Sequence, residues 1–308
     1  MPSSVDKRVL ITGGSSGIGL SVAEQLDRAG ARVVLVARGR EGLDSAAERL
    51  SRCAGTIAAD VSDPAAVNDA VARAAQLLGG GLDAVVANAG AAAYGPFADM
   101  APDDYGRTIA TTLLGMINTA HAAIPQLERT RGTFVVVGSV AGRVPTPWLA
   151  SYAAAKHGVR GFVRSLAVEL RALRKPVRLA LIAPGPVDTP FWRRARTSDR
   201  RLPPELRGAY RPDDVAAEVV RAIEGRGRTE RTVGGLMVPA VFVDALAPNL
   251  VLGPLGVLAR LGWRRREQSP PSHEDGLAQP TRSARRSGGL VSRPSLLART
   301  RAGGASRR

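Results

Sequence analysis

Residues 151–158, SYAAAKHG, place a tyrosine and a lysine four positions apart, at Tyr152 and Lys156. On a helix, two side chains with this spacing lie on the same face. A phenol ionises near pH ~10, and a neighbouring ammonium group stabilises the phenolate and lowers its pKa. The pair can therefore act as an acid–base device, although the same spacing also occurs by chance in many helices.

A third candidate, Ser139, lies thirteen residues before Tyr152, where the valine-rich run TFVVVG ends. Its hydroxyl can polarise a carbonyl that is about to receive hydride, while Tyr152 donates a proton to the developing alkoxide. Together the three side chains predict the proton-transfer half of a hydride-transfer site.

Short apolar runs alternate with helical patterns along most of the chain. The runs are continuous and rich in valine, as expected of strands buried on both faces, and they cover 8–12, 32–37, 82–87, 133–138 and 178–183. The helical patterns cover 17–29, 41–51, 64–78, 102–127, 151–173 and 212–224. This alternation predicts an α/β fold, a Rossmann-type doubly wound parallel sheet in three α/β/α layers, with ligand sites at the carboxyl ends of the strands.

The first predicted strand runs into a glycine-rich turn, TGGSSGIG at 12–19, and then into helical sequence. Such a turn lets backbone amides approach a pyrophosphate at the positive end of a helix. Its spacing differs from the GxGxxG dinucleotide fingerprint, so its placement between strand and helix supports the assignment better than the pattern does. The predicted cofactor contacts are Thr12, Gly13, Ser15, Ser16, Gly17, Ile18 and Gly19.

The second predicted strand ends at Arg38, about twenty residues after the glycine-rich turn. An acidic residue there would bind a ribose 2′-hydroxyl, whereas a guanidinium can pair with a 2′-phosphate. The sequence therefore favours NADP(H) over NAD(H), with Arg40 as a second arginine nearby. Asp60 is expected near the adenine, and Ser62 or Asp63 is expected to cap the following helix.

Taken in order, these motifs resemble the short-chain dehydrogenase/reductase family over residues 6–235. The matching stretches are TGGSSGIG, ADV at 59–61, NAG at 88–90, SVAG at 139–142, YAAAK at 152–156 and PGPVDTP at 184–190. The resemblance implies a single Rossmann-type domain, a bound nicotinamide cofactor, and hydride transfer between that cofactor and a carbonyl or alcohol carbon.

The resemblance also implies residue roles. Ser139, Tyr152 and Lys156 carry catalysis, Lys156 also holds the nicotinamide ribose, and Thr189 contacts the carboxamide. The further implied cofactor contacts are Asp60, Val61, Asn88, Ala89, Gly90, Pro184, Gly185 and Val187. Many members pair the helices that match 102–127 and 151–173 across subunits, which implies a homodimer or homotetramer.

One position departs from the family pattern. Family members usually carry an asparagine three residues before the glycine that matches Gly115, where it holds a water in the proton relay behind the lysine, and this chain has Thr112 there. Threonine can still hold a water, but its hydroxyl is shorter and its branched carbon is stiffer. In the alternative interpretation Thr112 only packs inside the helix, and water reaches Lys156 by another path.

Two segments bear on the substrate. The variable substrate loop is expected at 189–210, where Phe191 and Trp192 offer apolar surface, so a lipophilic carbonyl or alcohol is predicted. The stretch 233–263 is apolar but interrupted by Asp244 and by three prolines, so no uninterrupted apolar run reaches the ~18 residues of a membrane-spanning helix. It is expected to be a lid over an apolar pocket or a membrane-surface element, with peripheral contact through 233–266. Fatty-acyl, steroid, retinoid and polyketide-like substrates all stay open.

The net charge of +16 is unevenly distributed, because 264–308 holds 11 arginines against three acidic residues, a surplus of +8. A solvated disordered tail is the first interpretation, binding of anions or membranes is the second, and no specific nucleic-acid partner is expected. The single cysteine, Cys53, excludes an internal disulfide, and the three histidines lack metal-ligand spacing, so no metal site is expected. No signal peptide is recognisable, so a cytoplasmic location is expected, with membrane association through the extension.

The sequence thus predicts three segments: a catalytic domain over 1–232, an apolar extension over 233–263 and an arginine-rich tail over 264–308. The predicted function is that of an NADP-dependent oxidoreductase with Tyr152 as general acid and base. The alternative is an NADP-binding protein that regulates or associates with membranes without turnover.

Overall fold

The computed structural model describes residues 4–199, 208–226, 229–234, 238–264 and 275–288. The strands are β1 Arg8–Thr12, β2 Arg32–Ala37, β3 Cys53–Ala58, β4 Ala84–Ala87, β5 Ala93–Tyr94, β6 Thr133–Val137, β7 Arg178–Pro184, β8 Arg196–Thr197 and β9 Glu230–Val233. The helices are α1 Gly17–Arg28, α2 Arg40–Ala47, α3 Pro64–Leu77, α4 Pro102–Ile109, α5 Gly115–Thr130, α6 Ala150–Ala172, α7 Pro190–Arg193, α8 Pro212–Ile223, α9 Val238–Leu246 and α10 Pro248–Arg264.

Within the described residues, seven strands form one parallel sheet in the order β3-β2-β1-β4-β6-β7-β9. The predicted Rossmann-type doubly wound sheet is therefore confirmed. The strand order reverses between β1 and β4, and this is where an open α/β sheet forms a ligand crevice at the carboxyl ends of its strands. A second, two-stranded sheet pairs β5 with β8 beside this crevice.

The apolar strands explain the three layers. Val9, Leu10 and Ile11 of β1 are fully buried, because successive side chains of a strand point to opposite faces and both faces are covered. One core lies between the sheet and α3, α5 and α6, and the other lies between the sheet and α1, α2 and α8.

The predicted helical stretch 102–127 is confirmed, but it is not a regular α-helix throughout. It is divided into α4, a π-helical turn at Ala110–Leu114, and α5. Two tertiary contacts accompany the division: a Cβ added at Gly115 would lie 2.5 Å from a methyl carbon of Val61, and the Thr112 hydroxyl bonds to the backbone of Ala91. A π-turn of this kind is a single-turn bulge that often marks a functional site.

The sequence missed β9, whose residues ERTV include two charged side chains and pair with the far edge of β7. The predicted extension 233–263 contains the two helices α9 and α10. No helix among the described residues is long and apolar enough to span a membrane.

The predicted tail is only partly described. Residues 275–288 run as an irregular segment against the catalytic domain, and here the structure differs from the expected disorder. The reason is that arginine side chains of the domain bond to the backbone carbonyls of this segment. Residues 265–274 and 289–308 of the tail, and 200–207 of the predicted substrate loop, lie outside the described residues.

Candidate active site

A cavity lies at the carboxyl ends of the strands and brings most of the predicted site residues together. Those that line it are Gly13, Ser15, Ser16, Gly17, Ile18, Arg38, Asp60, Val61, Asn88, Ala89, Gly90, Ser139, Tyr152, Lys156, Pro184, Gly185, Val187 and Thr189. Three predicted residues, Thr12, Gly19 and Thr112, lie behind this lining and bond to or pack against residues that form it.

The glycine-rich turn connects β1 to α1 with backbone conformations that favour glycine. Gly13 and Gly17 have φ angles of 66° and 56°. A Cβ added at Gly19 would lie only 2.2 Å from the carbonyl oxygen of Gly13. The turn is therefore packed too tightly for side chains, which lets its backbone amides face an anion at the start of α1. These features fit the pyrophosphate of a dinucleotide.

The NAG turn after β4 holds the glycine-rich turn in place. Asn88 Nδ2 donates to the carbonyl oxygens of Thr12 and Gly13 at 3.2 and 3.1 Å. The Thr12 hydroxyl accepts from the backbone N–H groups of Asn88 and Ala89 at 3.1 and 3.3 Å. Thr12 thus acts behind the cavity wall, by tying two strand ends together.

At the adenine end, the Asp60 carboxylate accepts from the backbone N–H and the hydroxyl of Ser62, at 2.9 and 2.7 Å. Asp63 caps α3, since its carboxylate accepts from the N–H groups of Ala65 and Ala66. Of the two predicted caps, Asp63 is therefore the one observed, and Asp60 keeps an oriented carboxylate at the cavity.

Arg38 lies at the end of β2, and its guanidinium already has partners. It donates to the carbonyl oxygens of Leu277 and Gln279, at 3.1 and 3.4 Å, and to that of Gly276. The same segment reaches the glycine-rich turn, where the Gly17 N–H donates to the carbonyl of Arg285 at 2.8 Å. Two donors suited to cofactor phosphates are thus bonded to the chain's own carbonyl oxygens.

The proton-transfer residues are positioned by the end of β6 and by α6. Tyr152 and Lys156 lie one turn apart on α6, and each is only 6% exposed. Lys156 Nζ donates to the carbonyl oxygen of Val137 at 2.8 Å and lies 5.7 Å from the centroid of the Tyr152 ring. Ser139 begins a short 3₁₀ turn, Val140–Gly142, by accepting from the N–H of Ala141 at 3.1 Å.

That turn fixes the distance between β6 and α6. A Cβ added at Gly142 would lie 2.5 Å from the carbonyl oxygen of Lys156, so only glycine allows this approach. The Ser139 side chain also interacts with the Tyr152 phenol and acts to lower its pKa. The three predicted side chains therefore form one connected group, although they come from two elements.

Burial dominates the ionisation of this group. It raises the pKa of Tyr152 to about 12, against the opposite effect of the hydrogen bond from Ser139. It also lowers the pKa of Lys156 to about 8. The expectation that Lys156 lowers the pKa of Tyr152 is thus not met in this structure, where burial and the interaction with Ser139 set that pKa. At neutral pH the phenol is protonated and the amine is charged.

Thr112 is 1% exposed and bonds to the loop after β4. Its hydroxyl accepts from the N–H of Ala91 at 3.0 Å and donates to the carbonyl of the same residue at 2.9 Å. One lone pair is left for a water. The neighbouring Thr111, which the sequence did not single out, lines the cavity instead.

The turn after β7 closes the cavity beside the glycine-rich turn. Its backbone is held by Tyr210, whose carbonyl accepts from the N–H of Asp188 at 2.9 Å. A Cβ added at Gly17 would lie 3.3 Å from the Thr189 side chain. Thr189 therefore lies beside the glycine-rich turn and lines the same cavity as the predicted proton-transfer residues.

An aromatic cup packs against Tyr152, and two of its members, Phe191 and Trp192, line the cavity. Its members are Tyr94, Trp148, Phe191, Trp192 and Trp263, which include all three tryptophans of the chain. Phe191 and Trp192 lie 5.5 and 6.1 Å from the Tyr152 ring, measured between centroids.

The sequence analysis missed Tyr94, Trp148 and Trp263. Trp263 of α10 lies 4.7 Å from Trp148 and 5.9 Å from Tyr94, between ring centroids. Trp148 has a φ of 66°, which is an outlier for a bulky residue and typical of strain held at a functional site. The scarcity of aromatic residues, 4% of the chain, is the signal that could have found the cup.

The sequence profile of the short chain dehydrogenase family matches residues 7–200, which is more than half of the chain. The chain belongs to this family. The resemblance noted from the motifs is therefore confirmed, and the protein is an NAD(P)-dependent oxidoreductase.

Two relatives extend the match. Dehydrogenase/reductase SDR family member 7B of Bos taurus is 29% identical over 266 residues, covering 82% of this chain and 81% of the relative. A hydroxysteroid 11-beta-dehydrogenase 1-like protein of Xenopus tropicalis is 34% identical over 229 residues, covering 72% of this chain and 77% of the relative.

Solved structures of the family share this architecture. An alcohol dehydrogenase of the archaeon Thermococcus sibiricus, complexed with 5-hydroxy-NADP, is 27% identical with a TM-score of 0.65, and the match covers 74% of this chain and 96% of that one. A short-chain dehydrogenase/reductase of Burkholderia phymatum in complex with NAD has a TM-score of 0.69 at 22% identity, covering 80% and 96%. The second match supports the fold alone.

Proposed function

We propose that this protein is an NADP(H)-dependent oxidoreductase that moves hydride between the nicotinamide and a carbonyl or alcohol carbon of a lipophilic substrate. The observation that carries this proposal is one cavity lined by the glycine-rich turn, by Arg38, and by the connected group of Ser139, Tyr152 and Lys156. When bound, the nicotinamide supplies or accepts the hydride. The residues of the chain bind the cofactor, orient the substrate and exchange the proton.

In carbonyl reduction, the Ser139 hydroxyl orients the substrate oxygen and polarises the carbonyl. Tyr152, whose pKa of about 12 keeps it protonated at neutral pH, gives its proton to the developing alkoxide. The charged Lys156 stabilises the phenolate that this leaves, and its Nζ is held for the task by the Val137 carbonyl. Alcohol oxidation uses the same groups in reverse.

The proposed preference for NADP(H) rests on Arg38. Its guanidinium lies at the end of β2, at the edge of the cavity where a ribose 2′-substituent is recognised in this type of fold. A guanidinium pairs well with a phosphate and leaves a 2′-hydroxyl without its usual acidic acceptor. The Thermococcus sibiricus relative in complex with 5-hydroxy-NADP supports the same choice.

The proposed substrate class rests on the aromatic cup. Phe191 and Trp192 line the cavity beside Tyr152, within a cluster of five aromatic rings, and such a surface favours an apolar ligand with few polar groups. The name of the Xenopus tropicalis hydroxysteroid dehydrogenase relative is in keeping with a lipophilic alcohol or ketone. The substrate proposed is therefore a lipophilic carbonyl or alcohol, with the ring system left open.

A homodimer or homotetramer forms part of the proposal. Leu114 and Val168, beside the face formed by α4, α5 and α6, are 47% and 66% exposed, which leaves apolar surface for a second copy. Light scattering on the full chain tests this, since a single-copy mass across the micromolar range contradicts it.

The function is tested with a panel of carbonyls and alcohols assayed with NADPH and NADH in parallel. The proposal expects turnover of lipophilic members with NADPH, and turnover falling by about 10²- to 10⁴-fold in Tyr152→Phe. Tyr105→Phe is the matched control, because its hydroxyl donates to the Phe97 carbonyl outside the cavity. Equal efficiency with both cofactors contradicts the NADP assignment, and undiminished turnover in Tyr152→Phe contradicts the catalytic assignment.

A further inference from the structure

The helical pair α9–α10 carries most of the exposed apolar surface. Eight of the fourteen exposed large hydrophobic side chains among the described residues lie within 238–264. Phe242, Leu246 and Leu250 are 66%, 71% and 70% exposed, and Leu258 is 64% exposed. The other six are spread over several elements of the catalytic domain and include Leu114 and Val168 of the face proposed for a second copy. A concentration of this kind marks an interaction site.

The pair touches the catalytic domain through the end of α10. Trp263 packs against Trp148 and Tyr94 of the aromatic cup, and Trp148 Nε1 donates to the carbonyl of Ala259 at 3.4 Å. No residue of α10 is fully buried. The pair is therefore anchored to the aromatic cup that packs against Tyr152, and it presents its remaining apolar surface outward.

The charges around this surface are basic. Within 238–264 the acidic side chain is Asp244, whereas Arg260 and Arg264 are both exposed near the end of α10. In the sequence two more arginines follow, at 265 and 266. Such a surface is complementary to an anionic lipid bilayer, because the apolar side chains can contact the acyl chains while the arginines pair with the phosphate groups above them. A second copy seated on this surface would bring the same arginines against it, which disfavours a second copy as its occupant.

The dimensions fit a helix that lies on a membrane. The seventeen residues of α10 extend about 25 Å at ~1.5 Å per residue, which is short of the ~30 Å hydrocarbon core. Pro254 interrupts the backbone hydrogen bonding of α10, which further disfavours crossing.

We infer that α9–α10 docks on an anionic lipid bilayer, so that a substrate dissolved in the membrane passes Trp263 and the aromatic cup to reach Tyr152. The docking surface stands on its own observations, whereas the delivery of substrate rests on the proposed function. Docking places the aromatic cup next to the lipid. An apolar substrate can then move from the membrane to the cup without passing through water.

The test compares flotation of the full chain with vesicles of phosphatidylcholine alone and with vesicles that also contain phosphatidylglycerol. Wild type is expected to float with the anionic vesicles. The double variant Leu250→Glu, Leu258→Glu is expected to lose at least tenfold in binding, because it places two carboxylates in the apolar surface while keeping every arginine. The matched control, Leu77→Glu with Leu173→Glu, changes exposed leucines elsewhere and is expected to bind as wild type does.

Equal binding by wild type and the Leu250→Glu, Leu258→Glu variant assigns vesicle binding to the arginine-rich tail and overturns the docking surface. Absence of wild-type binding, with a dimer that this variant dissociates in light scattering, assigns the surface to a second copy and also overturns it.

Turnover separates this inference from the proposed function. On a water-soluble aldehyde the double variant is expected to match wild type, whereas on a ketone embedded in anionic vesicles it is expected to fall at least tenfold. An equal rate on the embedded ketone overturns substrate delivery. Absence of turnover on both substrates in wild type refutes the proposed function, while vesicle flotation still decides the docking.

Discussion

The two ends of the cavity are built differently. At the proton-transfer end, Ser139 follows β6, and Tyr152 and Lys156 lie on α6. The hydrogen bonds of Ser139 and Lys156 are made to Ala141 and Val137, which belong to the same part of the fold. At the phosphate end, Arg38 and the Gly17 N–H bond to residues 276–285, far along the chain. The proposed proton-transfer group is thus preorganised by the core, whereas the proposed binding of cofactor phosphates at Arg38 and Gly17 requires their bonds to residues 276–285 to break.

Among substitutions at the two ends of the cavity, the largest loss of activity is expected at Lys156. Lys156→Met removes the charge that stabilises the Tyr152 phenolate, so kcat for carbonyl reduction is expected to fall by about 10²- to 10³-fold. In wild type, the lowered pKa of about 8 means that Lys156 is charged below that pH and neutral above it, so reduction is expected to fall as pH rises through about 8.

Lys156→Arg provides the control, since arginine stays charged throughout this range. Its rate is expected to be lower than that of wild type but flat across the same pH interval. A fall at the same pH in Lys156→Arg assigns the transition to another group and contradicts the role given to Lys156.

The next effect is expected at the phosphate end. Arg38→Ala should raise the KM for NADPH by about 10- to 100-fold and leave the KM for NADH nearly unchanged, because a charge-assisted pair with the 2′-phosphate is lost. Steady-state kinetics with both cofactors measure this. Arg40→Ala, two residues along and exposed at the start of α2, is expected to have little effect. Equal losses for both cofactors rule out recognition of the 2′-phosphate.

A smaller effect is expected from removing the segment that bonds to Arg38. Truncation after Arg264 should tighten NADPH binding, by roughly threefold to tenfold in fluorescence titration, because Arg38 and the Gly17 N–H are then free of chain partners. Truncation after Gly288 keeps residues 275–288 and should bind as the full chain does. If truncation after Arg264 instead weakens NADPH binding, residues 275–288 help to hold the cofactor.

The smallest effect on turnover is expected at Thr112. Thr112→Val removes both bonds to the Ala91 backbone, so the free energy of unfolding is expected to fall by about 1–3 kcal/mol. Thr112→Ser keeps the hydroxyl and should lose less stability. Denaturant unfolding and kcat are measured together. A fall in kcat as large as that of Lys156→Met, with unchanged stability, places the Thr112 hydroxyl in the proton relay instead.

The features that could be predicted from the sequence are those fixed by residues close together along the chain. Tyr152 and Lys156 are one helix turn apart, and Ser139 follows a valine-rich strand that ends at Val137, so their position in one cavity could be predicted from spacing and strand position. The glycine-rich turn was equally local, because its special backbone angles require residues without side chains.

The features that sequence reasoning missed depend on tertiary contacts. The π-helical turn at Ala110–Leu114 is stabilised by contacts with Val61 and Ala91, which lie outside its own helix. Trp148 and Trp263 meet although more than a hundred residues separate them. The segment 275–288 has the composition of a disordered tail. Its conformation depends on contacts with the domain, such as those of Arg38 with Leu277 and of Asp213 with Arg286.

The central claim is that hydride passes between a nicotinamide and a carbon atom held beside Tyr152. It is tested most directly with NADPH deuterated at both C4 positions and the best carbonyl substrate of the panel, with mass spectrometry of the alcohol product. The account predicts one deuterium on the carbinol carbon for every NADPH consumed. An alcohol that carries only protium at that carbon, or consumption of NADPH without alcohol, contradicts it.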